Sequence, residues 1–142
     1  MKEYHTSIKI NASVRQVWQA LTDFDSYSEW NPLVTKLDGN IVEGGIINTT
    51  IAPLKETFHP ILLSYKAEKE IIWQGKRIAL FLLAGKHYYR LKRDSQSVTT
   101  LDHGEYFTGL LSNFISHKLL NKMKEAFVEH NIALKNRIEN GE

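Results

Sequence analysis

Cysteine is absent from the chain, which excludes both a disulfide framework and a thiolate metal site and leaves the redox compartment unread. No charge of one sign dominates. Lys and Arg total 18 against 16 Asp and Glu, a formal net charge of +2, so there is no basic stripe of the kind nucleic acid requires, and nucleic acid is excluded as a partner. Long hydrophobic runs are missing too. The longest, Ile78-Ala79-Leu80-Phe81-Leu82-Leu83-Ala84, is far below the roughly 20 residues that cross a bilayer, which speaks against stable membrane insertion. The start, Met1-Lys2-Glu3-Tyr4-His5, lacks an apolar signal-peptide core, so a soluble, cytoplasmic protein is expected. With 142 residues and 42% hydrophobic content, the chain suits one globular domain over residues 1–142, large enough to bury one core.

No repeat, low-complexity tract or linker interrupts the sequence. Tyr4, Thr6, Ile8 and Ile10 alternate with His5, Ser7 and Lys9, the period of a half-buried strand. Ser13 stands three before Gln16, a capping-box spacing, and Val14, Val17, Trp18 and Leu21 follow the helical rule for one apolar face. Pro32 pushes Asn31 out of helical geometry, so a second short helix ends there. From Leu33 to Phe107 the pattern is strands and turns. Ile47, Thr49 and Ile51 share one face; Ile61, Leu63, Tyr65 and Ala67 another; then Ile71 with Trp73, and His87, Tyr89 and Leu91. After the polar turn Asp94-Ser95-Gln96-Ser97, the alternate residues are Thr99, Leu101, His103, Glu105 and Phe107. Short links between these runs predict an antiparallel meander. From Leu111 onward, Leu111, Ile115, Leu119, Met123, Phe127 and Leu134 lie on roughly one face of a long helix, the only element long enough to bury the sheet.

Four stretches resemble one family. They are Val17-Trp18 through Leu21, Asp23-Phe24, Tyr27 and Trp30-Asn31-Pro32; Trp73 with Gly75; Gly85-Lys86-His87-Tyr88-Tyr89-Arg90-Leu91; and His103-Gly104-Glu105-Tyr106-Phe107. Asn131, Ala133-Leu134-Lys135, Arg137 and Glu139 add the end of the closing helix. Together they resemble the START-like (SRPBCC) superfamily, in its polyketide cyclase and dehydrase branch. The resemblance implies an α+β helix-grip fold: a curved antiparallel β-sheet wrapped around a long C-terminal helix, with two short helices after the first strand. It also implies a deep apolar cavity, and the superfamily includes enzymes, carriers and co-chaperones on that one fold.

If alternation sets the inward face, His87, Tyr89, His103 and Glu105 all point toward the helix. A three-residue loop sets His87 opposite His103, and a five-residue loop sets it opposite Glu105; alternation leaves both registers open. In one reading His87, His103 and Glu105 orient a ligand's polar end, or move a proton in a cyclisation or dehydration. In the other they satisfy one another and the closing helix. No metal and no cofactor are expected. Trp18, Trp30 and Trp73 read as packing residues, and His59 as a surface residue.

The expected role is binding of a small, mostly apolar organic molecule, lipid-like or polyketide-like, between sheet and helix. The pocket candidates are Ile47, Thr49, Leu63, Tyr65 and Trp73 from the earlier strands, Tyr89, Leu101 and Phe107 from the last hairpin, and Met123 and Phe127 from the helix. His87, His103 and Glu105 form its polar end. A cyclase or dehydratase using His and Glu chemistry is one alternative, and a protein-binding, co-chaperone-like module is another. The segment Lys76 to Lys86, apolar within and cationic at both ends, reads either as a flap over the cavity mouth or as an ordinary strand or dimer contact. A monomer or weak homodimer is expected.

Overall fold

A computed structural model describes residues 2–75, 84–109 and 112–141. Residues 76–83, most of the expected flap, and Leu110 and Leu111 lie outside the described residues. The elements run β1 (Lys2–Ile10), α1 (Val14–Thr22), α2 (Tyr27–Trp30), β2 (Val34–Gly39), β3 (Ile47–Ile51), β4 (Glu56–Phe58), β5 (Ile61–Lys66), β6 (Glu70–Gln74), β7 (Ala84–Arg93), β8 (Thr99–Thr108) and α3 (His117–Asn140). The fold is α+β, with a curved antiparallel sheet and a long C-terminal helix.

The capping box forms as the spacing predicts. Ser13 Oγ accepts from Gln16 N at 3.2 Å, and Gln16 Oε1 accepts from Ser13 N at 2.9 Å, so two orphan donors of α1 are satisfied reciprocally. At Asn31 the backbone turns extended, and its Oδ1 accepts from Leu33 N at 3.0 Å and Val34 N at 2.8 Å. The Trp-Asn-Pro stop is thereby converted into the start of β2.

One sheet has the order β1-β8-β7-β6-β5 and a second has β2-β3-β4. A bridge between Ile46 and Ile61 joins them. The hairpin of β7 and β8 closes over residues 94–98, which sets His87 opposite Glu105 and Tyr89 opposite His103. Helix α3 lies against β1 and β8 and also touches α1 and α2. It therefore covers one half of the sheet and leaves the β5–β6 half to β2, β3 and the turn at Phe24–Ser26.

Two expected faces need correction. Leu63 was expected to face inward with Ile61 and Tyr65, yet Leu63 is 40% exposed and Ile61 37%. A bulge between Leu62 and Ser64 is the cause: Leu62 pairs with Trp73 and Tyr65 with Ile71, so Leu62 and Tyr65 both face in and Leu63 is the extra residue turned out. The closing helix starts later than expected. Ser116 Oγ caps it by accepting from Leu119 N at 3.1 Å, Ser112–Phe114 forms a separate single turn, and the inward face runs Leu120, Met123, Phe127, His130, Asn131, Leu134. Leu119 is 43% exposed, because alternate steps of three and four back from Phe127 land on Leu120.

Candidate functional site: a neutral polar wall beside an apolar hollow

The strand registers lay the inward side chains out as two rows across the sheet. Tyr4, Glu105, His87, Trp73 and Leu62 form one; Thr6, His103, Tyr89, Ile71 and Tyr65 form the next. In each row the β1, β8 and β7 positions are polar or hydroxyl-bearing, while the β6 position and Leu62 are apolar. The sheet thus presents a polar wall to α3 and a greasy wall beside it.

A single hydroxyl orders the polar wall. Thr6 Oγ1 donates to the His103 carbonyl at 2.6 Å, so toward Asn131 it can only accept, and Asn131 Nδ2 donates to it at 2.8 Å. That orientation makes Asn131 Oδ1 an acceptor for His103 Nδ1 at 2.8 Å and His130 Nδ1 at 3.1 Å. With Nδ1 protonated, a neutral His103 has a bare Nε2, which accepts from His87 Nε2 at 2.8 Å. By the same logic His130 Nε2 accepts from the Tyr89 hydroxyl at 3.2 Å. Every ring nitrogen in these contacts has a defined role when all three imidazoles are neutral. Burial favours that state: it holds His87 and His103 well below the ordinary imidazole range, with His130 adding repulsion, and it lowers His130 from 6.5 to about 4.

Ring packing fixes the same groups. His103 is sandwiched between Tyr89 and Phe127, with centroids 4.2 Å away on both sides. His87 packs against Trp73 at 4.2 Å with the rings tilted by 36°, and Trp30 packs on His130 at 5.4 Å.

Glu105 stands apart from the imidazoles. It accepts from the Tyr4 hydroxyl at 2.7 Å, and its Oε2 lies 2.7 Å from where a Cβ would stand on Gly85. Burial raises its carboxyl to about 7, against the lowering effect of the Tyr4 hydrogen bond, and burial together with the Glu105 charge pushes the Tyr4 phenol up. The His87 and Glu105 side chains face each other across the hairpin, but among the described residues no hydrogen bond joins them.

The apolar hollow lies beside α3 rather than under it. Phe24, Leu37, Ile41, Ile47, Leu62, Tyr65, Ile71 and Trp73 line it, and it is too narrow to admit a water molecule. Of the expected pocket residues, Ile47, Tyr65 and Trp73 reach this hollow. His87, His103 and Tyr89 belong to the polar wall; Phe107 and Phe127 pack around Tyr4, at 6.0 and 4.8 Å. Leu101, Thr49 and Met123 are buried core, and Leu63 faces outward. Sequence reading missed His130, which follows Phe127 by three and so belongs to the same helix face, and it missed Leu62 because of the bulge. No group of three or more His, Cys, Asp or Glu placed to hold a metal occurs among the described residues, and no helix there is long and apolar enough to cross a membrane.

A family model described as polyketide cyclase / dehydrase and lipid transport matches residues 1–139. No curated protein matches the chain. Among solved structures, a START superfamily protein from Mycobacterium smegmatis is similar at a TM-score of 0.73 and 13% identity, over 99% of each chain. The Aha1 dimer from Colwellia psychrerythraea is similar at 0.76 and 18%, over 100% of this chain and 99% of that one. DynU16, a protein of the dynemicin biosynthetic locus, is similar at 0.75 and 13%, over 100% of this chain and 49% of its own. At these identities the likeness speaks for the fold alone.

Proposed function

The chain belongs to the polyketide cyclase/dehydrase and lipid transport family, and from that premise we propose that it binds a small, mostly apolar organic molecule, acting as one unit over residues 1–142. The observation that carries this reading is the hollow between the β2–β3 and β5–β6 strands, lined by apolar and aromatic side chains alone and set against a polar wall at Trp73. Because the hollow is closed to water, the ligand enters by spreading it. Ile41, half-buried and in the hollow's lining, is the place to block it. Titration with the uncharged, environment-sensitive probe N-phenyl-1-naphthylamine should give saturable one-to-one binding with a Kd on the order of micromolar. Ile41→Trp should weaken it at least tenfold while the protein stays folded. Unsaturable binding, or binding indifferent to Ile41→Trp, contradicts the reading.

The same closed interior, with Val42, Ile46, Ile61 and Leu63 exposed where the two sheets meet, favours a second reading, a protein-docking module. Failure of every apolar probe, combined with concentration-dependent mass in solution, selects it.

A further inference from the structure

The first two turns of α3 carry charges that folding alone disfavours. Lys118, Lys122 and Lys124 are exposed there, and the first turn holds no acidic residue. Cations at a helix N-terminus oppose its dipole, and like charges four residues apart, as in Lys118 and Lys122, repel. Among the described residues none of the three has a carboxylate within ion-pair distance. The sequence offers none nearby: no Asp or Glu stands between Glu105 and Glu125, nor within residues 76–83. Large apolar side chains face water beside these lysines. Phe114, in the single turn before α3, is 81% exposed, and Leu119, which neighbours Lys122 at helical spacing, is 43% exposed.

The patch stands at one end of the molecule. Followed backward along α3, Glu139 meets Asn11, Asn131 meets Thr6 and Phe127 packs on Tyr4. The helix therefore starts at the end of the sheet where β1 and β7 begin and β8 finishes, opposite the β7–β8 turn. Glu3 and Glu105, the carboxylates of β1 and β8 at this end, are already engaged, with Tyr88 donating to one at 3.4 Å and Tyr4 to the other at 2.7 Å. Cations around an exposed aromatic ring match an anionic bilayer surface, which takes the ammonium groups at its head groups and the ring at the acyl boundary. A second copy docked here about a two-fold axis would set lysines against lysines.

We propose that this end of the protein, through Phe114, Leu119, Lys118 and Lys122, docks peripherally on an anionic lipid surface. The contact stands apart from the hollow and goes beyond the apolar-ligand reading. The test is co-sedimentation with vesicles of phosphatidylcholine alone and of phosphatidylcholine with about one third phosphatidylglycerol. Expected is binding to the anionic vesicles at least tenfold tighter than to the neutral ones. Lys118→Glu with Lys122→Glu should remove at least tenfold of it; both changes suit the helix dipole, so the variant folds. Lys92→Glu with Arg93→Glu, the same charge change at the exposed opposite end, should have a much smaller effect. Phe114→Ser should weaken binding severalfold, and Ile41→Trp should leave it unchanged. Absence of binding, equal binding to neutral vesicles, equal loss from the two charge reversals, or loss in Ile41→Trp overturns the inference. A doubling of mass in solution without vesicles, abolished by Phe114→Ser, overturns it in favour of an interface between copies. Each of these outcomes leaves the apolar-ligand reading to its own probe titration.

Discussion

The Thr6 hydroxyl has one proton, and the His103 carbonyl takes it. Everything that follows in the polar wall, from the Asn131 amide to the His87 tautomer, depends on that donation. Thr6→Val keeps the shape, removes the acceptor for Asn131 Nδ2 and takes the side-chain donor away from the His103 carbonyl. Leaving such buried groups unpaired costs about 1–3 kcal/mol, so the urea midpoint should fall accordingly; an unchanged midpoint would mean the network holds nothing together. Glu105 offers a second residue-scale prediction with the opposite sense. Its folded carboxyl, at about 7, stands above the ordinary 4.5, so its stabilising contribution is complete below about pH 4.5 and is lost as pH rises through 7. Glu105→Gln imitates the protonated form. Allowing for partial exposure, the variant should be about 1–2 kcal/mol more stable than wild type at pH 8 and no more stable at pH 4.5. At this scale the sequence was partly legible. Alternation alone turned His87, His103, Tyr89 and Glu105 inward, but the pairing of Glu105 with Tyr4 needed the strand order, which no spacing along the chain reports.

Strand β5 shows what a period cannot see. Perfect alternation puts Ile61, Leu63 and Tyr65 together; one bulged residue puts Leu62 and Tyr65 together instead. The consequence is measurable. Leu62→Ala should cost about 2–4 kcal/mol and Leu63→Ala within about 0.5 kcal/mol, and equal costs would restore the unbulged register. In β8, Gly104 is needed for close approach. A Cβ there would stand 2.5 Å from both the Tyr4 carbonyl and the Tyr88 hydroxyl, so Tyr88, 3% exposed on the outer face, lies across a bare backbone. Gly104→Ala should expel the ring and lower thermal stability, read as a loss of Tyr88 protection in near-ultraviolet circular dichroism. Helix α3 was legible as a helix from its apolar spacing. Its inward polar residues were harder to read, since His130 and Asn131 sit at helical spacing from Phe127 but carry no apolar signal.

For the whole molecule, three buried neutral imidazoles set the response to acid. Their folded-state pKa values lie below the ordinary 6.5, so the unfolded chain binds protons that the folded one refuses, and stability falls as pH drops below about 6.5. His130 alone, from 6.5 to about 4, accounts for about 3 kcal/mol by pH 4. The Glu105 carboxyl works the other way between pH 7 and 4.5, but one carboxyl stands against three imidazoles. Denaturant midpoints should therefore peak near neutrality and fall steeply between pH 6 and 4; a flat profile would mean the imidazoles are charged or exposed. The architecture was legible in advance because helix, sheet and caps each leave a local pattern. The closed interior was not, because the distance between packed layers is set by all the side chains at once.

Whether the hollow opens for an apolar guest is tested most directly by native mass spectrometry of gently purified protein, followed by solvent extraction. The account predicts a reproducible adduct, lost on denaturation, that extracts as a small, mostly apolar molecule and is missing from Ile41→Trp. A bare mass that stays bare after incubation with alcohols, esters and lipid mixtures would contradict it.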